Sequence, residues 1–177
     1  MQSPRIPARF SGEPPSEPAL EAGALRLRRA VAELPLRYAP FFGRLCDLWQ
    51  VSQPLLLSEL MRARLPDNWS RTPLRGLRAF ELRFARPAGS SRARLLHFAP
   101  GLHFPRHRHR GTERVLVLEG SYADSSGREL SAGDAQTMPP GSEHELRILG
   151  AAPCVAAISE QGVELGVLAL LGSWLRR

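Results

Sequence analysis

Between Gly101 and Gly120 the chain reads GLHFPRHRHRGTERVLVLEG, and three of its five histidines fall in that stretch. One arginine separates His107 from His109, and Glu113 follows four residues after His109. In an extended strand alternate side chains share a face. His107 and His109 then point one way, and Arg106, Arg108 and Arg110 the other. A single inward histidine is commonly a hydrogen-bonded core residue. Two at i and i+2 beside a carboxylate are harder to place in a core, because polar groups buried without partners are costly. Neutral imidazole and carboxylate together form a donor set for Zn, Fe(II), Mn or Ni. The turn Arg110-Gly111-Thr112 can swing Glu113 back towards the same centre. A fourth donor is available in DAQTMPPGSEHELR, where His144 follows Pro139-Pro140-Gly141, a rigid turn that aims the residue after it. Glu143 and Glu145 flank His144, and alternation turns them away.

His103 has the same parity as His107 and is expected at the pocket mouth, or as a hydrogen-bonding neighbour of the ligands. Tyr122, Met138 and Phe104 are further candidates for the cavity wall, with plain core packing as the alternative.

The elements that must hold these residues read as strands. LRAFELRF, ARLLHF, RVLVLEGSY, DAQTM, HELRIL and CVAAISE are short, β-rich segments, punctuated by RPAGS, SSG, SAGD and PPGS. Many short strands at regular spacing predict a β-sandwich or small barrel over residues 77–165. The preceding part is different. Residues 1–19 are rich in proline, serine and charge and read as a disordered arm. Residues 20–70 read as helical. An apolar stripe of Leu20, Ala24, Leu27, Val31 and Leu34 marks a first helix. A second is expected over Phe41–Gln50. A third is expected from a Ser52 cap to about Arg64, with Pro54 in its first turn. RLCDLWQVSQPLLLSELM has the outline of a helix-turn-helix, but a recognition helix offers polar side chains to base edges. Leu55, Leu56 and Leu57 are instead expected to be buried. The tail GVELGVLALLGSWLRR is a final strand or an amphipathic helix, with 166–177 as a C-terminal packing segment.

Composition sets the outer limits. Of 177 residues, 43% are hydrophobic and 23% charged, which is a globular balance. No run of ~18 apolar residues is present, so no membrane helix is expected. The first 19 residues carry no apolar block of the secretory kind, and the expected location is cytoplasmic. The net charge is +7, with arginine as the only basic type besides histidine. These arginines are spread along the chain and form no concentrated patch, which argues against nucleic acid as a partner. Cys46 and Cys154 are too few and too far apart for a thiolate zinc knuckle.

The two histidine segments resemble the paired motifs of the cupin superfamily, the RmlC-like proteins. The first motif, G-x5-H-x-H-x3-E-x6-G, runs from Gly101 through His107, His109 and Glu113 to Gly120. The second, G-x5-P-x-G-x2-H-x3-N, runs from Gly133 through Pro139, Gly141 and His144, with Ile148 in place of the final asparagine. That asparagine is not a metal ligand, so the departure leaves the donor set intact. The resemblance implies a mainly β double-stranded β-helix, or jelly-roll, barrel preceded by a short helical region. It also implies one divalent metal ion on His107, His109, Glu113 and His144. Within the superfamily, HRHRGTE, LVLEGSYAD and the short connection between motifs are most similar to the cupin domain of ChrR-type anti-sigma factors. That likeness implies a regulatory sensor with a protein partner such as a sigma factor. The ChrR-type N-terminal zinc motif, His-x3-Cys-x2-Cys, has no counterpart here, since residues 20–70 contain one cysteine and no histidine. The alternative implied by the superfamily is an enzyme. Three histidines and one glutamate leave coordination positions open for a small chelating substrate, as in cupin Fe(II) dioxygenases. The small-molecule ligand is not named by the sequence under either reading. A homodimer is expected, because Val163–Leu175 is mostly apolar and small barrels leave edges to cover.

Overall fold

The computed structural model describes residues 16–18, 21, 37–83 and 91–165. The chain divides into two units, Met1–Glu33 and Leu34–Arg177. The stripe at 20–34, all but a few residues of the N-terminal arm, and the tail beyond 165 lie outside the described residues. Among the described residues, the second unit carries every strand and both histidine segments.

Among the described residues it includes the α-helices α1 (Phe42–Trp49) and α2 (Gln53–Ala63). Gln50 ends α1 in the left-handed region, with φ of 55°. Ser52, in extended geometry, begins α2, and Pro54 occupies its first turn. Among the described residues eleven strands come after them: β1 (Ser70–Arg71), β2 (Leu77–Glu81), β3 (Arg92–Phe98), β4 (His103–His109), β5 (Glu113–Glu119), β6 (Ser121–Asp124), β7 (Glu129–Ser131), β8 (Ala135–Met138), β9 (Glu143–Ile148), β10 (Cys154–Glu160) and β11 (Val163–Leu165). They form two antiparallel sheets, ordered β1-β2-β3-β10-β5-β8 and β11-β4-β9-β6-β7. This is the expected mainly β jelly roll with helices before it.

The six-stranded sheet is buried on both faces, and its sequence shows it. In β5 the run Val115-Leu116-Val117-Leu118 is apolar without alternation. Val115 and Val117 pack inward with Phe98, Tyr122 and Ile148, between the sheets. Leu116 and Leu118 pack outward with Leu45, Leu56, Leu60 and Phe80, beneath the helices. Strand β10 divides likewise, with Ala156 and Ile158 inward and Val155 and Ala157 outward.

Polar contacts fix the helices on this sheet. Trp49 Nε1 donates to the Ile158 carbonyl at 2.9 Å, and Tyr38 Oη donates to Glu119 Oε1 at 2.6 Å. Arg114 Nη2 donates to the carbonyls of Asp47 and Leu48 at 3.0 Å, which places a cation at the C-terminal end of α1, where the helix dipole favours it. The expectation that all three leucines of 55–57 are buried needs correction. Leu56 is fully buried and Leu55 is 39% exposed. Successive helical residues are ~100° apart, so three in a row cannot all reach one flat sheet.

The helices and the barrel share one core, and Leu56→Ala is therefore expected to destabilise the whole unit by about 2–5 kcal/mol. Urea unfolding followed by barrel signals should show a lower midpoint with the slope unchanged. A wild-type midpoint for those signals would mean that the helices fold independently of the sheet.

Candidate metal centre

The site begins with a register. In the β4–β9 ladder His107 lies directly opposite His144, so the two motifs meet as cross-strand partners. The turn before β9 is bonded to β4 on both sides of His109. Gly141 N donates to the His109 carbonyl at 2.8 Å, and His109 N donates to the Ser142 carbonyl at 3.0 Å. Gly141 makes that turn at φ of 80°, a conformation that favours glycine. The proline turn thus sets the position of β9 against β4, and with it the distance between the imidazoles.

The three rings gather at one point. Ligand atoms of His107, His109 and His144 all lie within 4.8 Å of one another, and all three residues are buried. His109 Nε2 and His144 Nε2 are 3.1 Å apart. His107 Nδ1 is 3.0 Å from the Pro105 carbonyl, which can only accept. A neutral His107 therefore carries its proton on Nδ1 and keeps the Nε2 lone pair free. Glu113 arrives from the opposite sheet, at the start of β5, with Oε2 3.8 Å from His109 Nδ1. The Arg110–Thr112 turn brings it back at close quarters: a Cβ on Gly111 would lie 2.2 Å from Gln161 Oε1.

The electrostatics belong to a group of donors that holds no charge by itself. Burial pushes His107 down to about 3 and His144 to about 4, and it lowers His109 as well. Glu113 is pushed up to about 8, by burial first and by the neighbouring Glu160 carboxylate second. His109 Nδ1 and His144 Nδ1 are buried without hydrogen-bond partners. Neutral imidazoles that converge through their Nε2 atoms, beside a carboxyl held in its protonated form, fit a divalent cation, whose charge relieves the desolvation of the donors. The cation would supply Lewis acidity and positions open to an outside ligand.

The cluster faces a cavity of about 640 Å³ inside the barrel. His107, Glu113 and His144 line it, together with Phe104 and Tyr122. Tyr122 Oη donates to Gln136 Oε1 at 2.9 Å, and Gln136 Nε2 donates to Asp124 Oδ2 at 2.8 Å, which fixes the phenol against the wall. Met138 stands opposite Glu113 in the β5–β8 ladder, outside the lining. His103 is also outside it, 57% exposed and 3.5 Å from Glu145. The register of β4 and β9 shifts between Phe104 and His107, at Pro105. That irregularity reverses the alternation, so Phe104 shares the inward side with His107, and their ring centroids are 4.7 Å apart. A proline inside a strand is the sequence signal for such a bulge.

Glu160 is a residue that motif reasoning passed over. It is 4% exposed and lines the cavity. Its carboxylate accepts from Arg94 Nη1 at 2.9 Å and from Gly162 N at 2.8 Å. Its parity with Ala156 and Ile158 is the signal that could have placed it inward.

At pH 7 the histidines are already neutral, whereas Glu113 holds a proton that a cation taking it as a donor would displace. Binding is expected to release about one proton, and affinity should rise with pH up to about 8 and then level off. Calorimetry in buffers of different ionisation enthalpy measures the release, and Glu113→Gln should abolish it. A pH dependence confined to 4–6.5 would instead assign the titration to the histidines.

No curated protein matches the chain. Among solved structures it is similar to an RmlC-like cupin protein from Ralstonia eutropha, at 18% identity over 59% of this chain and 71% of that one, with a TM-score of 0.50. It is also similar to a protein of unknown function with a cupin-like fold from the same organism, at 25% identity and a TM-score of 0.45. That match covers 49% of this chain and spans 56% of the other. The structure of Rhodobacter sphaeroides SigE in complex with the anti-sigma ChrR matches at 26% identity over 88% of this chain and 70% of that one, with a TM-score of 0.49. The family model of the ChrR cupin-like domain matches residues 66–164, from just before β1 to β11 and through every residue of the histidine cluster. The chain belongs to the ChrR cupin-like domain family.

Proposed function

We propose that this protein is a metal-binding cupin of regulatory type, in which His107, His109, Glu113 and His144 hold one divalent cation. The observation that carries the reading is the convergence of three imidazoles at the wall of an internal cavity. The family match supports the regulatory half, with the cupin as a sensor or effector domain and a sigma factor as the class of protein partner. Residues 20–70 carry one cysteine and no histidine, so contact with such a partner would rest on packed side chains and not on an N-terminal zinc motif. The second reading is a small metal-dependent enzyme, such as an Fe(II) dioxygenase acting on a chelating substrate. It is favoured by one observation: His107, Glu113 and His144 line the cavity instead of being sealed from it, so an outside molecule can reach them.

Metal analysis of protein purified without added metal separates the two readings. Zinc supports the sensor, and iron moves the assignment to the oxygenase. His107→Ala and His144→Ala should each lose metal and melt below the wild type, and a chelator should lower the wild-type melting temperature towards theirs. Wild-type melting that ignores complete removal of metal would contradict the link between the site and stability.

The reading includes a homodimer, because the segment Val163–Leu175 is mostly apolar. Light scattering at tens of micromolar should give twice the chain mass. A monomer rules this out.

A further inference from the structure

The cavity has a composition that says what it can accept. Its walls are aliphatic and aromatic, with Leu77, Leu96, Phe98, Leu146 and Ile158 among the lining residues. Histidines and Glu113 stand at one part of this wall, and they are buried. Arginines also line the cavity, at the other extreme of exposure. Arg92 is exposed and the Arg110 side chain is 66% exposed, which places both at the mouth.

Charge can then be followed around the cavity. Three neutral imidazoles and one carboxylate around a divalent cation leave a net single positive charge. That charge faces apolar walls, where an uncompensated ion is costly. The remaining buried carboxylates are committed elsewhere. Glu160 accepts from Arg94 and Gly162, and Asp124 accepts from Gln136, Ser126 and Arg128. At the mouth Arg110 is paired with Glu164, and Arg94 is shared between Glu81 and Glu160. Arg92 has no ion-pair partner among the described residues. The single positive charge at the cluster therefore has Glu160 as its neighbouring carboxylate, and Glu160 is already bonded to Arg94 and Gly162.

We propose that the cavity binds an organic anion with an apolar body, its acidic head on the cation at His107, His109 and His144 and its body along Leu96, Phe98, Leu146 and Ile158. This deepens the proposed function and rests on its metal site. Both halves of the ligand are required. The head supplies the missing negative charge, and the body covers apolar wall that otherwise faces water. A volume of about 640 Å³ accommodates a body well beyond two or three carbons. Arg92 attracts the anion at the mouth, so association is expected to weaken with salt.

The test uses the full chain loaded with zinc and three probes, measured by calorimetry. Octanoate carries head and body, 1-octanol the body alone, and acetate the head alone. Octanoate is expected to bind at least about tenfold more tightly than either of the others, and to lose about tenfold when the metal is removed. Leu96→Trp fills the wall away from the histidines and should abolish octanoate binding while zinc content is retained. Leu146→Trp serves the same purpose should the first variant misfold. Zinc content, measured on the same samples, separates this proposal from the one it rests on. Full occupancy with octanoate no tighter than 1-octanol, or no tighter than acetate, overturns the ligand class alone. A chain that takes up no zinc or other divalent metal overturns the metal-site reading, and the placement of the acidic head falls with it.

Discussion

Keeping three imidazoles at one point of an otherwise apolar interior, with a buried carboxyl beside them, costs free energy, and the fold is arranged around that cost. His107, His109, Glu113 and His144 come from three strands and both sheets. His109 Nδ1 and His144 Nδ1 have no hydrogen-bond partner inside the protein. Burial acts on all of them in the same direction, towards the uncharged form. A structure can hold such a group only where the surrounding backbone is stiff enough to prevent the rings from turning out to water.

The stiffness comes from covering. An antiparallel sheet commonly leaves one face to solvent. Here the six-stranded sheet has the second sheet on one side and α1 and α2 on the other, so Leu116 and Val117, adjacent in sequence, are both removed from water. The helices are thus part of the support of the site, although none of their residues lines the cavity. Trp49 reaches the backbone of β10 at Ile158, the residue whose side chain forms cavity wall on the opposite face. The five-stranded sheet, by contrast, carries the outward arginines of β4 and exchanges ion pairs at its surface, between Arg106 and Glu143 and between Arg110 and Glu164. Exposed pairs of this kind add little to stability.

Much of this was legible in the sequence because the relevant signals are local. The spacing of His107, His109 and Glu113 and the proline turn before His144 are short-range patterns, and the strands that bear them alternate or are apolar throughout. The signals that were missed depend on long-range pairing. His103 has the parity of an inward residue, but Pro105 introduces a shift that only the β4–β9 register reveals, and Phe104 takes the inward place. Glu160 reads as the polar end of a strand until Arg94, more than sixty residues earlier, is brought beside it (92–98 and 154–160 pair antiparallel). Leu55 reads as core because hydrophobicity shows in the sequence and direction around a helix axis does not. The division of labour between the two faces of β5 could not be read at all, since Val115 and Leu116 are chemically alike and differ only in what lies above them.

The pairing of His107 with His144 also bears on how the chain can change in length. Side chains on a strand alternate, so one residue gained or lost within β4 or β9 would turn its histidine to the arginine side and leave the partner ring alone. Deletions and insertions are therefore barred from both strands and from the Pro139–Ser142 turn that joins them to a common origin. The hairpin between β6 and β7 is under no such restriction. Its tip, Ser125 to Gly127, is exposed; Asp124 closes it through bonds to Ser126 and Arg128, and Ser125 N donates to the Glu145 carbonyl at 3.1 Å. Natural length variation in relatives of this chain should collect there, and a foreign peptide grafted into the sequence would be best tolerated at the same place.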